Sequence, residues 1–192
     1  GGPVVYSPDA TFRLLEGGYS RYSELFQLSW WQTDWIESRA IARADRIAVS
    51  SRWAMGSVVS DYGYPAHKVV VASYGPNLDA LPPETEVFAR LQTEHQTVCR
   101  ILFLAVDWKR KGGDIALEAF YILLERRVEA ELVIVGCSPN VSHPKVTVVP
   151  SLDKNDPAQY QELLGWILSS HFMLVPTRAD CTPIAFSEAA GY

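Results

Sequence analysis

Short, continuously apolar runs alternate with amphipathic stretches of helical period along most of this chain. Runs that are apolar on both faces suit strands covered by helices on each side. Their alternation with helices predicts βαβ units and parallel pairing. The first third reads as strand, loop, helix, strand, helix, strand. Val4-Val5-Tyr6 is the first strand, and Ser7-Pro8-Asp9 turns the chain. A long helix is expected over 24–44, with Trp31, Trp35 and Ile36 at helical spacing. Trp30, Trp31 and Trp35 could stack on a sugar ring, but aromatic residues at this spacing are expected in the core. Ile47-Ala48-Val49 reads as a buried strand, Ser50-Ser51 as the cap of a helix starting near Trp53, and Val69-Val70-Val71 as the next strand.

A second and more regular pattern begins after Pro82-Pro83. It predicts helices over 84–92, 112–127 and 157–169 and from Ile184 onward. The strands are expected over 98–106, 130–135, 146–149 and 172–175. The Tyr74-Gly75-Pro76-Asn77 break and the linker-like stretch after it divide the two patterns. The expected fold is therefore α/β with Rossmann-like parallel sheets, helices on both faces and two lobes, 1–79 and 80–192. The chain opens on a strand-like run and stops inside a helix-like one, so the first lobe is expected to be incomplete and the second truncated.

Composition narrows the function classes. With 192 residues, 48% hydrophobic and 20% charged, the chain has the make-up of a soluble globular protein. A net charge of −5 argues against a nucleic-acid partner, which selects a basic face. Cys99, Cys137 and Cys181 form no C-x-x-C pair, and His67, His95, His143 and His171 are scattered. No metal site is expected, and the thiols suit a reducing, cytoplasmic setting. No apolar run reaches transmembrane length. The dinucleotide fingerprint G-x-G-x-x-G, the phosphate loop G-x-x-x-x-G-K-[ST] and the nucleophile elbow G-x-S-x-G are all absent.

Ligands of open parallel sheets bind beyond the carboxyl ends of the strands, so the loops that follow strands carry the candidate chemistry. Asp107-Trp108-Lys109-Arg110-Lys111-Gly112-Gly113 places three cations and two glycines at a helix entrance, a composition suited to an anion or to a plain solvated loop. In Pro176-Thr177-Arg178-Ala179-Asp180-Cys181-Thr182-Pro183-Ile184, Thr182 is expected as a helix N-cap with Pro183 as the first helical residue. Glu188 lies among Ala185, Ala189 and Ala190, where an unpaired charge would be costly. A ribose diol or a salt bridge to a neighbouring cation would satisfy it. Gly136-Cys137-Ser138-Pro139-Asn140 and Pro150-Ser151-Leu152 could flank a nucleotide base.

Several of these stretches together resemble a known family. Leu102-Phe103-Leu104-Ala105 and Arg110-Lys111-Gly112-Gly113-Asp114-Ile115-Ala116-Leu117-Glu118-Ala119-Phe120 are similar to the donor-binding start of retaining GT-B glycosyltransferases of family 4. Ala44-Asp45-Arg46-Ile47-Ala48-Val49-Ser50-Ser51, Tyr62-Gly63-Tyr64-Pro65 and Lys68-Val69 resemble the end of that family's first lobe. Tyr74-Gly75-Pro76-Asn77-Leu78-Asp79 resembles its hinge, and Asp180 and Glu188 stand where its E-x7-E signature does. The resemblance runs in order along nearly the whole chain.

It implies transfer of a sugar, with retention, from a nucleotide sugar such as a UDP- or GDP-sugar to a hydroxyl acceptor. Lys111 and the substitute candidate Arg110, with Gly112 and main-chain N–H groups from Thr182 to Ile184, would hold the donor diphosphate. Glu188 would hold the ribose. Asp180, in the place of the usual first glutamate, would act beside the transferring sugar. Asp9, preceded here by Pro8 rather than the family's histidine, would lie on the acceptor side. No metal or other cofactor is implied, and the resemblance leaves room for a lipid acceptor and for peripheral membrane association through the absent part of the first lobe. A sugar-nucleotide epimerase or a non-catalytic nucleotide-binding domain would share the donor site. The piece alone is expected to be inactive.

Overall fold

Strand pairing is parallel throughout the described residues and falls into two separate sheets. The computed structural model describes residues 2–19, 24–78, 81–93 and 98–191. Asp79 and Ala80, at the expected lobe boundary, lie outside the described residues, as do Gly1, His95 and Tyr192. The chain separates into two units, Gly1–Tyr74 and Gly75–Tyr192.

The first unit contains β1 (Val5–Tyr6), α1 (Phe12–Gly18), α2 (Gln27–Arg43), β2 (Arg46–Val49), α3 (Arg52–Ser60), a 3-10 turn (Ala66–Lys68) and β3 (Val69–Val71), with strand order β1-β2-β3. Ile47 and Val49 enter a core with Ile41, Ala44, Ala54, Val58, Tyr64 and Val69. Ser51 caps α3 as its sequence position requires, its hydroxyl accepting the Ala54 N–H at 3.1 Å.

Two expectations fail here. The sequence predicts a loop where α1 forms. Thr11 supplies its N-cap, the hydroxyl accepting the Leu14 N–H at 3.4 Å, but the helix is one of 7 residues ending in two glycines and leaves little periodic signal.

The second failure concerns the tryptophans. Trp31, Trp35 and Ile36 are exposed at 66%, 52% and 62%, whereas α2 turns Glu37 and Ile41 inward. The cause is a buried polar cluster. The Glu37 carboxylate accepts the Phe12 N–H at 2.5 Å, the Tyr62 hydroxyl at 2.8 Å and the Tyr6 hydroxyl at 3.1 Å. One turn earlier, Arg13 grips both oxygens of Asp34 at 2.7 and 2.8 Å. These donors are fixed to α1, β1 and the end of α3, so the face carrying Asp34 and Glu37 must point inward. Burial, reinforced by Glu37, pushes the Tyr6 phenol up to about 12 and raises Tyr62 as well, so both remain donors at neutral pH.

The second unit runs α4 (Glu84–Thr93), β4 (Cys99–Leu104), α5 (Gly113–Glu125), β5 (Ala130–Val135), β6 (Val146–Val149), α6 (Pro157–Leu168), β7 (Phe172–Met173) and α7 (Ile184–Ala189). Its strand order is β6-β5-β4-β7. Alternation along the strands explains why they read as apolar throughout. Ile101, Phe103, Leu132 and Ile134 pack with Ala116 and Phe120 of α5 on one face. Leu102, Val133 and Val135 pack with Leu163 and Ile167 of α6 on the other. After β4 the chain builds outward through β5 and β6, then crosses back to lay β7 on the opposite side of β4. That reversal opens a crevice beyond the carboxyl ends of β4 and β7. No helix among the described residues is long and apolar enough to cross a membrane.

The Glu37 cluster yields a stability prediction. Glu37→Ala leaves the Phe12 N–H and the Tyr6 hydroxyl without their acceptor, and Tyr62 with only the longer contact to Asp34 at 3.3 Å, and should cost about 2–4 kcal/mol. Urea unfolding followed by the fluorescence of Trp30, which packs on Phe12 at a ring separation of 5.8 Å, reports it. An unchanged midpoint would contradict the assignment of α2's inward face to this cluster.

Candidate functional site

The β4–α5 and β7–α7 loops meet at the reversal point of the second sheet. Asp107 folds the first loop back on itself, its carboxylate accepting the Arg110 N–H at 3.0 Å and its carbonyl the Lys111 N–H at 3.0 Å. The Arg110 N–H holds the Asp107 carboxyl below its ordinary range. Gly112 then ends the loop at φ 74°, where a Cβ would lie 1.9 Å from the Pro176 carbonyl oxygen. Only glycine fits this combination of left-handed backbone and close approach. Gly113 is pressed against the Trp108 ring, which itself meets Phe103 edge-on at 5.2 Å.

Polar contacts stitch the same two loops. The Arg110 carbonyl accepts the Arg178 N–H at 2.8 Å and the Thr177 hydroxyl at 3.3 Å, and the Arg110 guanidinium donates to the Ala179 carbonyl at 3.0 Å. Arg178 forks onto both oxygens of Asp114 at 2.7 and 2.8 Å. Those bonds are the main reason the Asp114 carboxyl falls to about 2.

Beside this junction is a cavity of about 370 Å³, a size suited to a small-molecule ligand. Leu104, Ala105, Val135, Leu163, Ile184 and Ala185 give it apolar walls; Gly136, Ser151, Leu152 and Thr182 also line it. Its charged residues are Lys111, Lys154 and Glu188. The Lys111 ammonium is ion-paired to Asp180, both side chains being largely buried. The Lys154 ammonium lies 2.5 Å from Glu188 Oε1; the glutamate side chain is 5% exposed and the lysine 34%.

The structure thus brings Lys111, Thr182, Ile184 and Glu188 to one cavity, with Asp180 attached through Lys111. Arg110 is not among its lining residues, being committed to Asp107 and the Ala179 carbonyl. Gly112 serves the loop junction described above. Asp9 belongs to the first unit, where its carboxylate and carbonyl accept the Ser50 hydroxyl at 2.7 and 3.1 Å.

One detail is corrected: Thr182 is not the N-cap. Helix α7 begins at Ile184, with Pro183 in the cap position at ψ 88° and no side-chain cap bond. That ψ is outside the helical range, so the first turn starts one residue later than Thr182-Pro183 suggested. For Glu188, the ion pair with a neighbouring cation is the observed arrangement. Sequence reasoning missed Lys154, which stands in Asp153-Lys154-Asn155-Asp156 and reads as part of a solvated turn. Only the fold brings it to Glu188. Among the described residues, no three His, Cys, Asp or Glu side chains gather as metal ligands.

No protein-family model matches the chain, and no curated protein matches it in sequence. Solved structures do match its fold. WaaG, a glycosyltransferase involved in lipopolysaccharide biosynthesis, is similar with a TM-score of 0.66 and 15% identity, over 99% of this chain and 54% of that one. Anabaena HepE, solved in complex with UDP and glucose, is similar with a TM-score of 0.54 and 14% identity, over 92% of this chain and 47% of that one. The chain therefore spans about half the length of the structures it matches. These likenesses show an α/β fold of the GT-B type.

The loop junction carries its own prediction. Gly112→Ala should destabilise the chain by about 2–4 kcal/mol through clash and backbone strain. Gly165→Ala, in α6 with open space around it, should be neutral or stabilising by up to about 1 kcal/mol. Thermal unfolding of the two variants checks the pair; equal behaviour would contradict the close approach to Pro176.

Proposed function

We propose that the chain carries the donor half of a glycosyltransferase that moves a sugar, with retention, from a nucleotide sugar to an acceptor hydroxyl. The observation that carries this reading is the meeting of Lys111 and Glu188 at one apolar-walled cavity, at the reversal point of a parallel sheet. A ligand suited to it has an anionic part for Lys111, hydroxyls for Glu188 and a flat apolar part for the Leu104, Val135 and Ile184 walls. A nucleoside diphosphate has all three. The resemblance of Lys111-Gly112 and of Asp180 to Glu188 to the family 4 signatures supports the same ligand, as does the UDP held by HepE.

In this reading the acceptor oxygen attacks the anomeric carbon as its bond to the diphosphate breaks. Negative charge grows on the leaving diphosphate, and Lys111 stabilises it. Arg110 would add to this only by leaving the Ala179 carbonyl. The leaving phosphate oxygen takes the acceptor proton, so no enzymic nucleophile and no metal or other cofactor is required. Asp180 would meet the sugar, and Asp9 would belong to the acceptor side.

The Lys111–Asp180 ion pair makes the reading quantitative, since a diphosphate must share or displace Asp180. In calorimetric titration with UDP, Lys111→Ala should weaken binding at least about tenfold, the loss of a charge-assisted contact. Asp180→Asn should tighten UDP binding by about threefold or more, because Lys111 loses its competing anion. Unchanged affinity in Lys111→Ala would count against the donor site; weaker UDP binding in Asp180→Asn would show that Asp180 does not compete for Lys111.

A further inference from the structure

Lys154 has no part in the chemistry above, yet its ammonium ends on the most deeply buried carboxylate of the cavity. We infer that Lys154 sets the site's selection for ribose, acting through Glu188 as a positioning residue; the inference rests on the donor-site reading. Glu188 projects from α7 with its side chain 5% exposed, beside Ala185 and Ala189. The oxygens of a carboxylate buried to that degree need hydrogen-bond partners. The counter-charge comes from a different element, the loop between β6 and α6, and reaches Oε1 at 2.5 Å.

The consequence concerns hydrogen-bond polarity. A carboxylate accepts hydrogen bonds and the hydroxyls of a vicinal diol donate them, so the orientation of the free oxygen decides whether the diol is recognised. By binding Oε1, Lys154 fixes the rotamer of Glu188 and leaves its second oxygen to accept from the ligand. The lysine is 34% exposed and lines the cavity, so it is placed at the ligand rather than behind it. A lysine that merely tied the 150–156 loop to α7 would affect stability without affecting which sugar ring the site accepts.

The test uses the full chain and three probes: UDP, 2′,3′-dideoxy-UDP and inorganic pyrophosphate. The unaltered protein should prefer UDP to its dideoxy analogue by about tenfold or more, the worth of a hydrogen bond to a charged group. In Lys154→Met that preference should shrink to within about twofold, while pyrophosphate affinity stays within about twofold of the original. Lys154→Arg, which restores the charge, should recover most of the preference. If Lys154→Met does not fold, Lys154→Ala takes its place with the same expectations, since it too removes the donor to Oε1.

Retention of the full ribose preference in the uncharged variant would overturn the inference and leave the donor-site reading standing. A loss of pyrophosphate affinity equal to the loss of UDP affinity would also overturn it, by making Lys154 a phosphate contact. If the unaltered protein bound neither UDP nor pyrophosphate, the donor-site reading would fall and the inference with it.

Discussion

The candidate site depends on how closely two loops approach: the Gly112 backbone lies against the Pro176 carbonyl, in a space that admits no Cβ. That contact joins the loop after β4 to the loop after β7. The Arg110 carbonyl and the Arg178–Asp114 pair reinforce it. With the two loops held together, Lys111 leaves the first toward Asp180 of the second. Slightly farther along, α7 delivers Glu188 to the same cavity. The glycine is thus a packing requirement first, and the geometry of the charged residues follows from it.

Opposite charges are matched at the cavity. Each of its two lysines meets a carboxylate, Lys111 with Asp180 and Lys154 with Glu188. Largely buried pairs of this kind contribute little net stability, because desolvation offsets attraction. Their effect is to hold four side chains in defined positions with opposite charges matched.

Most of the second unit was legible in its sequence. Strands 130–135 and 146–149 form with the bounds expected, because apolar residues on both faces of a parallel sheet leave little ambiguity. The loops after β4 and β7 stand out in the sequence because they follow strands of a parallel sheet, and the structure brings them together. What escaped the sequence depends on partners distant along the chain. Trp31 and Trp35 have the spacing of a core stripe, but α2 is oriented by donors on Phe12, Tyr6 and Tyr62 that no local pattern can show. Lys154 stands 34 residues from Glu188 and looks like any lysine in a turn. Thr182-Pro183 carries a valid cap signal, yet the backbone at Pro183 delays the helix by one residue.

On the proposal that the cavity takes a nucleoside diphosphate between Lys111 and Glu188, hydrogen exchange with and without UDP is the measurement to make. Amide protection should rise in three separate stretches, 105–113, 151–154 and 180–190, each of which contributes residues to the cavity lining. Protection confined to the first unit, or none at UDP concentrations that saturate binding, would contradict the account.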